Sequence, residues 1–250
     1  MKTLTLIVTY NEAENISRLV PAILAHVPES SVLVVDDNSP DGTAQVVRAL
    51  GERDPRVSVI CRTYQRGYGS AMITGMSHAL ERGFDAILTL DADFSHDPAD
   101  LPKLLAALGD ADVAVGSRYA GGVRVLNWEV RRLLLSLGAN AYVRSLSGLA
   151  CVDCTSGFRG YRASVFRQIK LNTIRTTGYA FLPELLFSLG DVRVTEVPIC
   201  YTERRLGESK MSARIALEAA WRVPALRYGP RRWRPLEAER PSADAVPNEG

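Results

Sequence analysis

The sequence contains no long uninterrupted apolar run. Nowhere in its 250 residues do the roughly 18 uncharged apolar residues of a membrane-spanning helix follow one another. The N-terminal stretch "MKTLTLIVTYNE" has only a short apolar run before polar residues, which is typical of a first strand and not of a signal peptide. We therefore expect a cytoplasmic chain without a membrane-spanning helix.

Cysteine is scarce, with Cys61, Cys151, Cys154 and Cys200 as the complete set. Cys151 and Cys154 have CxxC spacing, but no second pair and no histidine cluster accompanies them. A structural zinc site needs four ligands, so this pair does not predict one. Sparse cysteine use favours a reducing compartment.

The best-known nucleotide-binding motifs are also missing. "TYNEAEN" follows the first predicted strand, where a dinucleotide-binding fold would have GxGxxG, and no GxxxxGK[ST] occurs anywhere. Nicotinamide, flavin and P-loop chemistry are therefore disfavoured.

The charges are divided unevenly along the chain. Residues 1–120 hold 10 Lys/Arg against 16 Asp/Glu, whereas residues 121–250 hold 20 against 12. This division favours a cation site in the first half and an anionic partner for the second. Hydrophobic content of 46% is ordinary for a globular protein.

Apolar strand-like runs alternate with amphipathic helical segments through the first half. This alternation predicts an α/β fold with a Rossmann-like, mostly parallel sheet and helices on both faces. After about Arg231 the chain is rich in proline and charge and has no periodicity, so we expect a catalytic domain over 1–230 and a disordered tail over 231–250.

Acidic and amide side chains follow three of the predicted strands. They are Asn11-Glu12, Asp36-Asp37 and the pair Asp91 and Asp93 in "LDADFSHDP". The carboxyl ends of parallel strands meet at one edge of a sheet, where ligands bind. Two carboxylates there suit Mg²⁺ or Mn²⁺ held together with substrate diphosphate oxygens. The alternative is a surface turn whose aspartates cap the next helix.

Nine short segments in order resemble the family 2 glycosyltransferases, whose fold is termed GT-A. Within that family they are most similar to the dolichyl/polyprenyl-phosphate mannosyltransferases (polyprenol monophosphomannose synthases), and the end of the match looks actinobacterial. The similarity spans about residues 3–225. The segments are "TYNEAENI", "VVDDNSPDGT", "RGYGSAMITG", "LDADFSHDP", "GSRYAGG", "NWEVRRLLLSLGAN", "CTSGFRGYR", "GYAFLPELL" and "EVPICYTERRLGESKMS".

The resemblance implies a role for each residue at a matching position. It implies a GDP-mannose donor site formed by Thr9, Tyr10, Glu12, Val35, Asp37, Ala92, Arg204 and Lys210. It implies metal ligation by Asp91, Asp93 and Ser95, and a lipid-phosphate pocket formed by Arg118, Arg132 and Ser136. Asp91, Asp93, Arg118 and Lys210 are the residues expected to be catalytic, whereas His96 is expected to be a turn residue.

The implied reaction is an inverting transfer of mannose to a polyprenyl or dolichyl monophosphate, whose phosphate is already anionic and needs no strong general base. Residues 1–120 would bind the nucleotide sugar and 121–230 the acceptor. "NWEVRRLLLSLGANAYV" and "SARIALEAAWRVPALRYG" combine apolar and arginine faces, as interfacial helices do on anionic lipid. We expect peripheral attachment to the inner face of the cell membrane, a possible separate membrane-spanning, acyltransferase-like partner, and no nucleic-acid partner.

Other functions remain open at this stage. The nearest is a UDP-glucose-dependent polyprenyl-phosphate glucosyltransferase, because no local residue decides between guanine and uracil. A non-catalytic nucleotide-sugar-binding module and an aspartyl phosphatase belong to different classes. A processive polysaccharide synthase is disfavoured because "GPRRW" lacks the glutamine of QxxRW.

Overall fold

The computed structural model describes residues 1–63, 67–174, 178, 180–202 and 224. Nine strands and six α-helices occur within these ranges. The strands are β1 (Thr3–Thr9), β2 (Ser30–Asp36), β3 (Val57–Cys61), β4 (Ala86–Leu90), β5 (Val113–Ser117), β6 (Val125–Leu126), β7 (Arg159–Arg162), β8 (Val194–Pro198) and β9 (Tyr201–Thr202). The helices are α1 (Ala13–His26), α2 (Thr43–Arg53), α3 (Tyr68–Glu81), α4 (Leu101–Ala107), α5 (Val130–Ser147) and α6 (Phe181–Ser188).

Seven strands form one sheet in the order β3-β2-β1-β4-β7-β5-β8. Every neighbouring pair is parallel except the two that involve β7, which runs antiparallel between β4 and β5. The predicted mostly parallel α/β sheet is therefore confirmed. Strands from both predicted halves of the chain share this sheet. The short strands β6 and β9 pair separately, parallel to each other.

Alternate residues of the central strands are buried on opposite faces of the sheet. Leu6 and Val35 pack with residues of α3 and α6, whereas Ile7 and Val34 pack with residues of α1 and α4. This alternation is the two-residue period of a strand covered on both faces. The expectation of helices on both faces is thus confirmed.

The reversed strand β7 determines which loops reach the site. Because β7 is antiparallel, its first residue, Arg159, lies opposite Thr89 and Val115 near the carboxyl ends of β4 and β5. The segment that precedes β7 therefore joins the same edge as the segments that follow the parallel strands.

Three details differ from the sequence-based expectation. The extended pattern of "RVTEVPICYTER" predicts one strand, but its described residues form two, β8 and β9, which belong to different sheets. Neither helix α6 nor the two-residue strand β6 was predicted. β8 is the edge strand of the large sheet and ends at Pro198, where proline is tolerated because the side of an edge strand that faces away from its neighbour needs no N–H donor.

Several predictions lie outside the described residues. They are the roles of Arg204 and Lys210, the second interfacial helix and the tail over 231–250. Among the helices that are described, none is both long and apolar enough to cross a membrane.

Candidate functional site

The candidate site lies at the carboxyl edge of the parallel strands. Asn11, Asn38 and Phe94 follow β1, β2 and β4, and each has a left-handed backbone with φ of 60°, 56° and 58°. Asparagine tolerates this conformation, but for a bulky residue such as phenylalanine it is rare and costs free energy. At all three strand ends the backbone therefore turns sharply where the predicted ligand-binding residues lie.

Asp91 and Asp93 follow β4 in this turn. The side chain of Asp91 is 31% exposed, whereas Asp93 is buried. The Ser95 hydroxyl donates to Asp93 Oδ1 at 2.5 Å, and the Ser95 backbone N–H donates to the same oxygen at 3.1 Å. Ser95 thus orients Asp93. Its predicted role as a metal ligand stays a prediction.

His96 is a buried structural residue of the same turn. Its ring stacks on Phe158 with centroids 5.0 Å apart, and its Nδ1 accepts a 3.4 Å hydrogen bond from the Asp91 backbone N–H. Burial lowers the pKa of His96 to about 4, so the ring is neutral at pH 7. This placement agrees with the expectation that His96 supports the turn and is not a catalyst.

The donor set fits a hard divalent cation that also binds substrate oxygens. In the described part of the chain no group of three or more acidic, histidine or cysteine side chains converges, so Asp91 and Asp93 would be the side-chain ligands. Mg²⁺ is commonly held by one or two carboxylates with phosphate oxygens and water completing its shell. Asp91 and Asp93 are therefore suited to a cation whose coordination shell is completed by the oxygens of a diphosphate.

Asp37, one of the predicted donor-binding residues, is held by a basic neighbour. Arg62 follows β3, and its Nε and Nη2 both donate to Asp37 Oδ1, with the Nε contact at 2.8 Å. Asp37 Oδ2 accepts from the backbone N–H of Gly67 at 2.8 Å. Both oxygens of Asp37 are thus fixed. The bond to Arg62 connects the end of β2 to the end of β3, and the bond to Gly67 connects it to the start of α3.

The remaining donor-site predictions receive unequal support. Tyr10 is exposed and Glu12 is half-buried at the edge. Thr9 and Ala92 are buried, and the Thr9 hydroxyl donates to Asp36 at 3.0 Å. Val35 is fully buried in the core, so its side chain is not available to a nucleotide, and the predicted contact, which would have to come from its backbone, stays a prediction.

Arg118, which follows β5, forms an ion pair with Asp153, which precedes β7. Arg118 Nε donates to Asp153 Oδ2 at 2.7 Å and Nη2 donates to Oδ1 at 2.6 Å. Asp153 is fully buried. Burial alone lowers the pKa of Arg118, but the Asp153 carboxylate outweighs it and raises the pKa overall. The guanidinium is therefore permanently charged and fixed in direction.

The other two predicted acceptor residues lie on α5, close to Arg118. The Tyr119 hydroxyl donates to Ser136 Oγ at 2.6 Å. The guanidinium carbon of Arg132 lies 4.3 Å from the ring centroid of Trp128, and that of Arg118 lies 5.6 Å from the same centroid. The structure therefore brings Arg118, Arg132 and Ser136 together around Trp128 and Tyr119.

Exposed apolar side chains occur on α5 and in the segment that precedes it. Only Asn140, Val143 and Ser147 of α5 are buried, whereas Leu134 and Leu135 are 63% and 67% exposed. The other large exposed apolar side chains nearby in sequence are Val123, Leu126, Val130 and Tyr142. We refer to these six residues as the α5 apolar surface.

Sequence reasoning missed the residues that fix the predicted ones. Arg62 could have been found because it follows a strand at the same edge. Asp153 lies within "CVDC", whose cysteine spacing draws attention only to metal binding.

The two cysteines of this segment are structural. Cys151 and Cys154 are buried, and the Cys154 thiol donates to the Cys151 carbonyl oxygen at 2.9 Å.

The sheet and this edge define a nucleotide-sugar transferase fold, and comparison with known proteins identifies the family. Residues 5–170 match the model of glycosyl transferase family 2. The chain belongs to that family.

Two bacterial relatives are similar over most of their length. The undecaprenyl-phosphate mannosyltransferase of Micrococcus luteus is 43% identical over 241 residues, which cover 95% of this chain and 98% of the relative. The polyprenol monophosphomannose synthase of Mycolicibacterium smegmatis is 43% identical over 226 residues, covering 89% and 85%. The dolichol-phosphate mannosyltransferase of Pyrococcus furiosus is 37% identical, but the match covers only 61% of it.

Among crystal structures, glucosyl-3-phosphoglycerate synthase from Mycobacterium tuberculosis is similar in fold. Its complex with Mn²⁺, UDP-glucose and phosphoglyceric acid matches with a TM-score of 0.66, covering 90% of this chain and 77% of that one. The identity is 17%, so this likeness shows the GT-A fold alone.

Proposed function

We propose that this protein transfers mannose from GDP-mannose to a polyprenyl monophosphate, with inversion at the anomeric carbon. The observation that carries the proposal is the 43% identity to an undecaprenyl-phosphate mannosyltransferase over nearly both full lengths. The site supports it, because Asp91, Asp93 and Arg118 follow strands at one edge of the sheet, and Arg132 on α5 shares the Trp128 ring with Arg118.

The acceptor phosphate would be bound by Arg118, Arg132 and Ser136, where two guanidinium groups and one hydroxyl lie close together. Guanidinium groups are well suited to bind phosphate through paired hydrogen bonds. An anionic phosphate oxygen would attack the anomeric carbon directly, and the GDP diphosphate would leave from the opposite side. The nucleophile is already charged at pH 7, which agrees with a site whose one histidine, His96, is buried and neutral.

On the donor side, Asp91 and Asp93 would hold Mg²⁺ or Mn²⁺ with the donor diphosphate. A bound divalent ion would neutralise the charge that develops on the departing diphosphate. Ser95 fixes Asp93, and the bond between Arg62 and Asp37 fixes the loop beside Tyr10. Arg204 and Lys210 would bind the same diphosphate from the segment that follows β9. Together these side chains would orient the donor with its anomeric carbon toward the acceptor phosphate.

The α5 apolar surface would rest on the membrane that contains the lipid acceptor. Arg131 and Arg144 are also exposed on α5, and each basic residue near an anionic lipid surface contributes about 1 kcal/mol of attraction. We place the protein at the inner face of the cell membrane, where nucleotide sugars are present. A separate membrane-spanning partner of the acyltransferase type would add a second attachment.

The decisive experiment measures transfer of labelled sugar into the organic phase. Purified protein, Mg²⁺ and a short polyprenyl phosphate are incubated in parallel with GDP-mannose and with UDP-glucose. We expect label from GDP-mannose alone, lost in Asp93→Ala. Label from UDP-glucose instead would overturn the donor and keep the reaction class. Label from neither donor would contradict the proposed transferase activity. Calorimetry with GDP-mannose would then test whether the protein is a non-catalytic nucleotide-sugar-binding module.

A further inference from the structure

A ring formed by hydrogen bonds and by the chain link between Arg118 and Tyr119 connects Arg118 and Ser136, two of the three predicted acceptor residues. Arg118 Nη2 donates to Thr155 Oγ1 at 2.8 Å, and Asn140 Nδ2 donates to the same oxygen at 3.1 Å. Asn140 Nδ2 also donates to the Ser136 carbonyl oxygen at 3.0 Å, and Asn140 Oδ1 accepts from the Thr155 N–H at 3.3 Å. Tyr119, next to Arg118 in the chain, closes the ring by donating to Ser136 Oγ.

We propose that Thr155 and Asn140 are positioning residues that set the distance and direction between Arg118 and α5, and so determine the affinity for the lipid phosphate. This inference rests on the proposed function, since it concerns the acceptor half of that site. Neither residue is among those implied by the family resemblance. Neither needs to touch the substrate, because each acts through Arg118 or Ser136.

The hydrogen-bonding capacity of Arg118 explains why its direction matters. A guanidinium has five N–H donors in a rigid plane. Asp153 accepts from Nε and Nη2, and Thr155 accepts the second hydrogen of Nη2. Within the described ranges the two N–H groups of Nη1 make no hydrogen bond. The ring therefore directs one edge of the guanidinium, and rotating that edge would misplace the phosphate.

Every hydrogen-bonding position of the Thr155 hydroxyl is occupied. Its hydroxyl accepts two hydrogen bonds, from Arg118 and Asn140, and donates one to Asp153 Oδ1 at 3.4 Å. A hydroxyl has one donor and two acceptor positions. Valine has the same shape without any of these groups, and serine keeps all of them. Thr155→Val and Thr155→Ser are therefore a matched pair that separates hydrogen bonding from packing.

The segment that carries Thr155 is itself anchored to the sheet. Glu196 on β8 accepts from the backbone N–H groups of Val152 and Asp153 at 2.7 and 3.0 Å. Because this anchor does not involve Thr155, we expect Thr155→Val to keep the loop in place and to change mainly the orientation of Arg118 relative to α5.

The test compares Thr155→Val, Thr155→Ser and Asn140→Ala with the parent protein. KM for farnesyl phosphate, KM for GDP-mannose, kcat, Tm and the calorimetric Kd for farnesyl phosphate are measured for each. A hydrogen bond to a charged group corresponds to about a tenfold change in affinity, so Thr155→Val should raise the acceptor KM and Kd about tenfold. The donor KM should change by less than about twofold, and Thr155→Ser should restore the acceptor values. Ser145→Ala, which removes an exposed hydroxyl of α5 bonded to its own helix, is the control.

The outcomes separate this inference from the proposed function. An unchanged acceptor Kd in both Thr155→Val and Asn140→Ala overturns the inference, as does an equal rise in both KM values with a lowered Tm, which would indicate a merely structural role. If the parent protein transfers neither mannose nor glucose, the proposed function fails, and the calorimetric Kd values still decide the positioning role. A parent protein that does not bind farnesyl phosphate overturns both.

Discussion

Both carboxylate oxygens of Asp153 accept hydrogen bonds from the guanidinium of Arg118, and a third bond comes from the Arg118 backbone N–H at 3.0 Å. Asp153 has no exposed surface. A buried charge that loses its partner is strongly destabilising, whereas a buried pair can be replaced by apolar residues at little cost. The two residues are therefore linked in stability as well as in function.

Asp153→Ala should lower the free energy of unfolding by about 3–5 kcal/mol, because it leaves Arg118 buried and uncompensated. The double variant Asp153→Leu/Arg118→Met should recover most of this loss while remaining inactive. Urea denaturation measures both. Glu14→Gln, which breaks the exposed pair with Arg18, should cost only about 0.5 kcal/mol. An Asp153→Ala value as small as that of the control would contradict a strong ion pair.

Ser95→Ala should weaken the affinity of the site for its metal, because the hydroxyl that fixes Asp93 Oδ1 is lost. Residues that orient a metal ligand typically contribute 10- to 100-fold to affinity or activity. We expect the Mg²⁺ concentration for half-maximal rate to rise by about tenfold or more, after removal of bound metal with EDTA. Ser17→Ala, which removes an exposed hydroxyl of α1, serves as control. An unchanged Mg²⁺ profile would argue against Asp93 as a ligand.

Gly157→Ala should impair catalysis through Asp91. A Cβ at this position would lie 3.2 Å from Asp91 Oδ1 and 3.0 Å from the Tyr68 hydroxyl oxygen. One of these two groups must shift by a few tenths of an ångström, and a misplacement of about 1 Å in an active site can cost on the order of 100-fold in rate. We expect the smaller shift to lower kcat by roughly 3- to 10-fold. Gly138→Ala has open space around its Cβ and should leave kcat unchanged. Equal kcat values for the two variants would show that Asp91 is not displaced.

The double variant Leu134→Glu/Leu135→Glu should detach the protein from membranes. Burial of one leucine side chain contributes about 1.5–3 kcal/mol, so binding to phosphatidylglycerol vesicles should fall by well over tenfold in cosedimentation. Turnover of water-soluble farnesyl phosphate should remain. The control is Arg18→Glu on α1, which lowers the net charge by the same amount, about two charges, at a position outside the α5 apolar surface. This variant should retain most vesicle binding. Equal losses would indicate charge, and not the α5 apolar surface, as the cause.

The fold could be predicted from the sequence where the apolar residues recur with a regular period. The spacing of Leu19, Ile23 and Val27 predicts one apolar helix face, and all three are buried, the first two within α1 and Val27 directly after its last residue. Such a face can be predicted because the periodicity of an amphipathic helix indicates by itself which side is buried. The reversal of β7 could not be predicted this way. Four residues, Arg159–Arg162, pair with β4 and β5 from distant parts of the sequence, and nothing in their own alternation specifies a direction.

Some residues of the candidate site could likewise be predicted from the sequence, and others could not. Asp91 and Asp93 could be recognised because they end an apolar run at a predictable edge. Val35 was assigned from the resemblance, yet the alternation of β2 places its side chain in the core. Asp153, Asn140 and Thr155 act by contacting other polar side chains. Such contacts depend on tertiary proximity, which a single sequence does not encode in any fixed spacing.

The antiparallel strand has a further consequence for how the site can change over evolution. Apart from Arg204 and Lys210, the proposed donor residues lie at the ends of β1, β2 and β4, whereas the proposed acceptor residues follow β5 or lie on α5. The two substrates therefore depend largely on separate connections. A change of acceptor could arise by altering the chain between β5 and β7 while the nucleotide-sugar half keeps its residues, so that one half of the enzyme can diverge while the other is conserved.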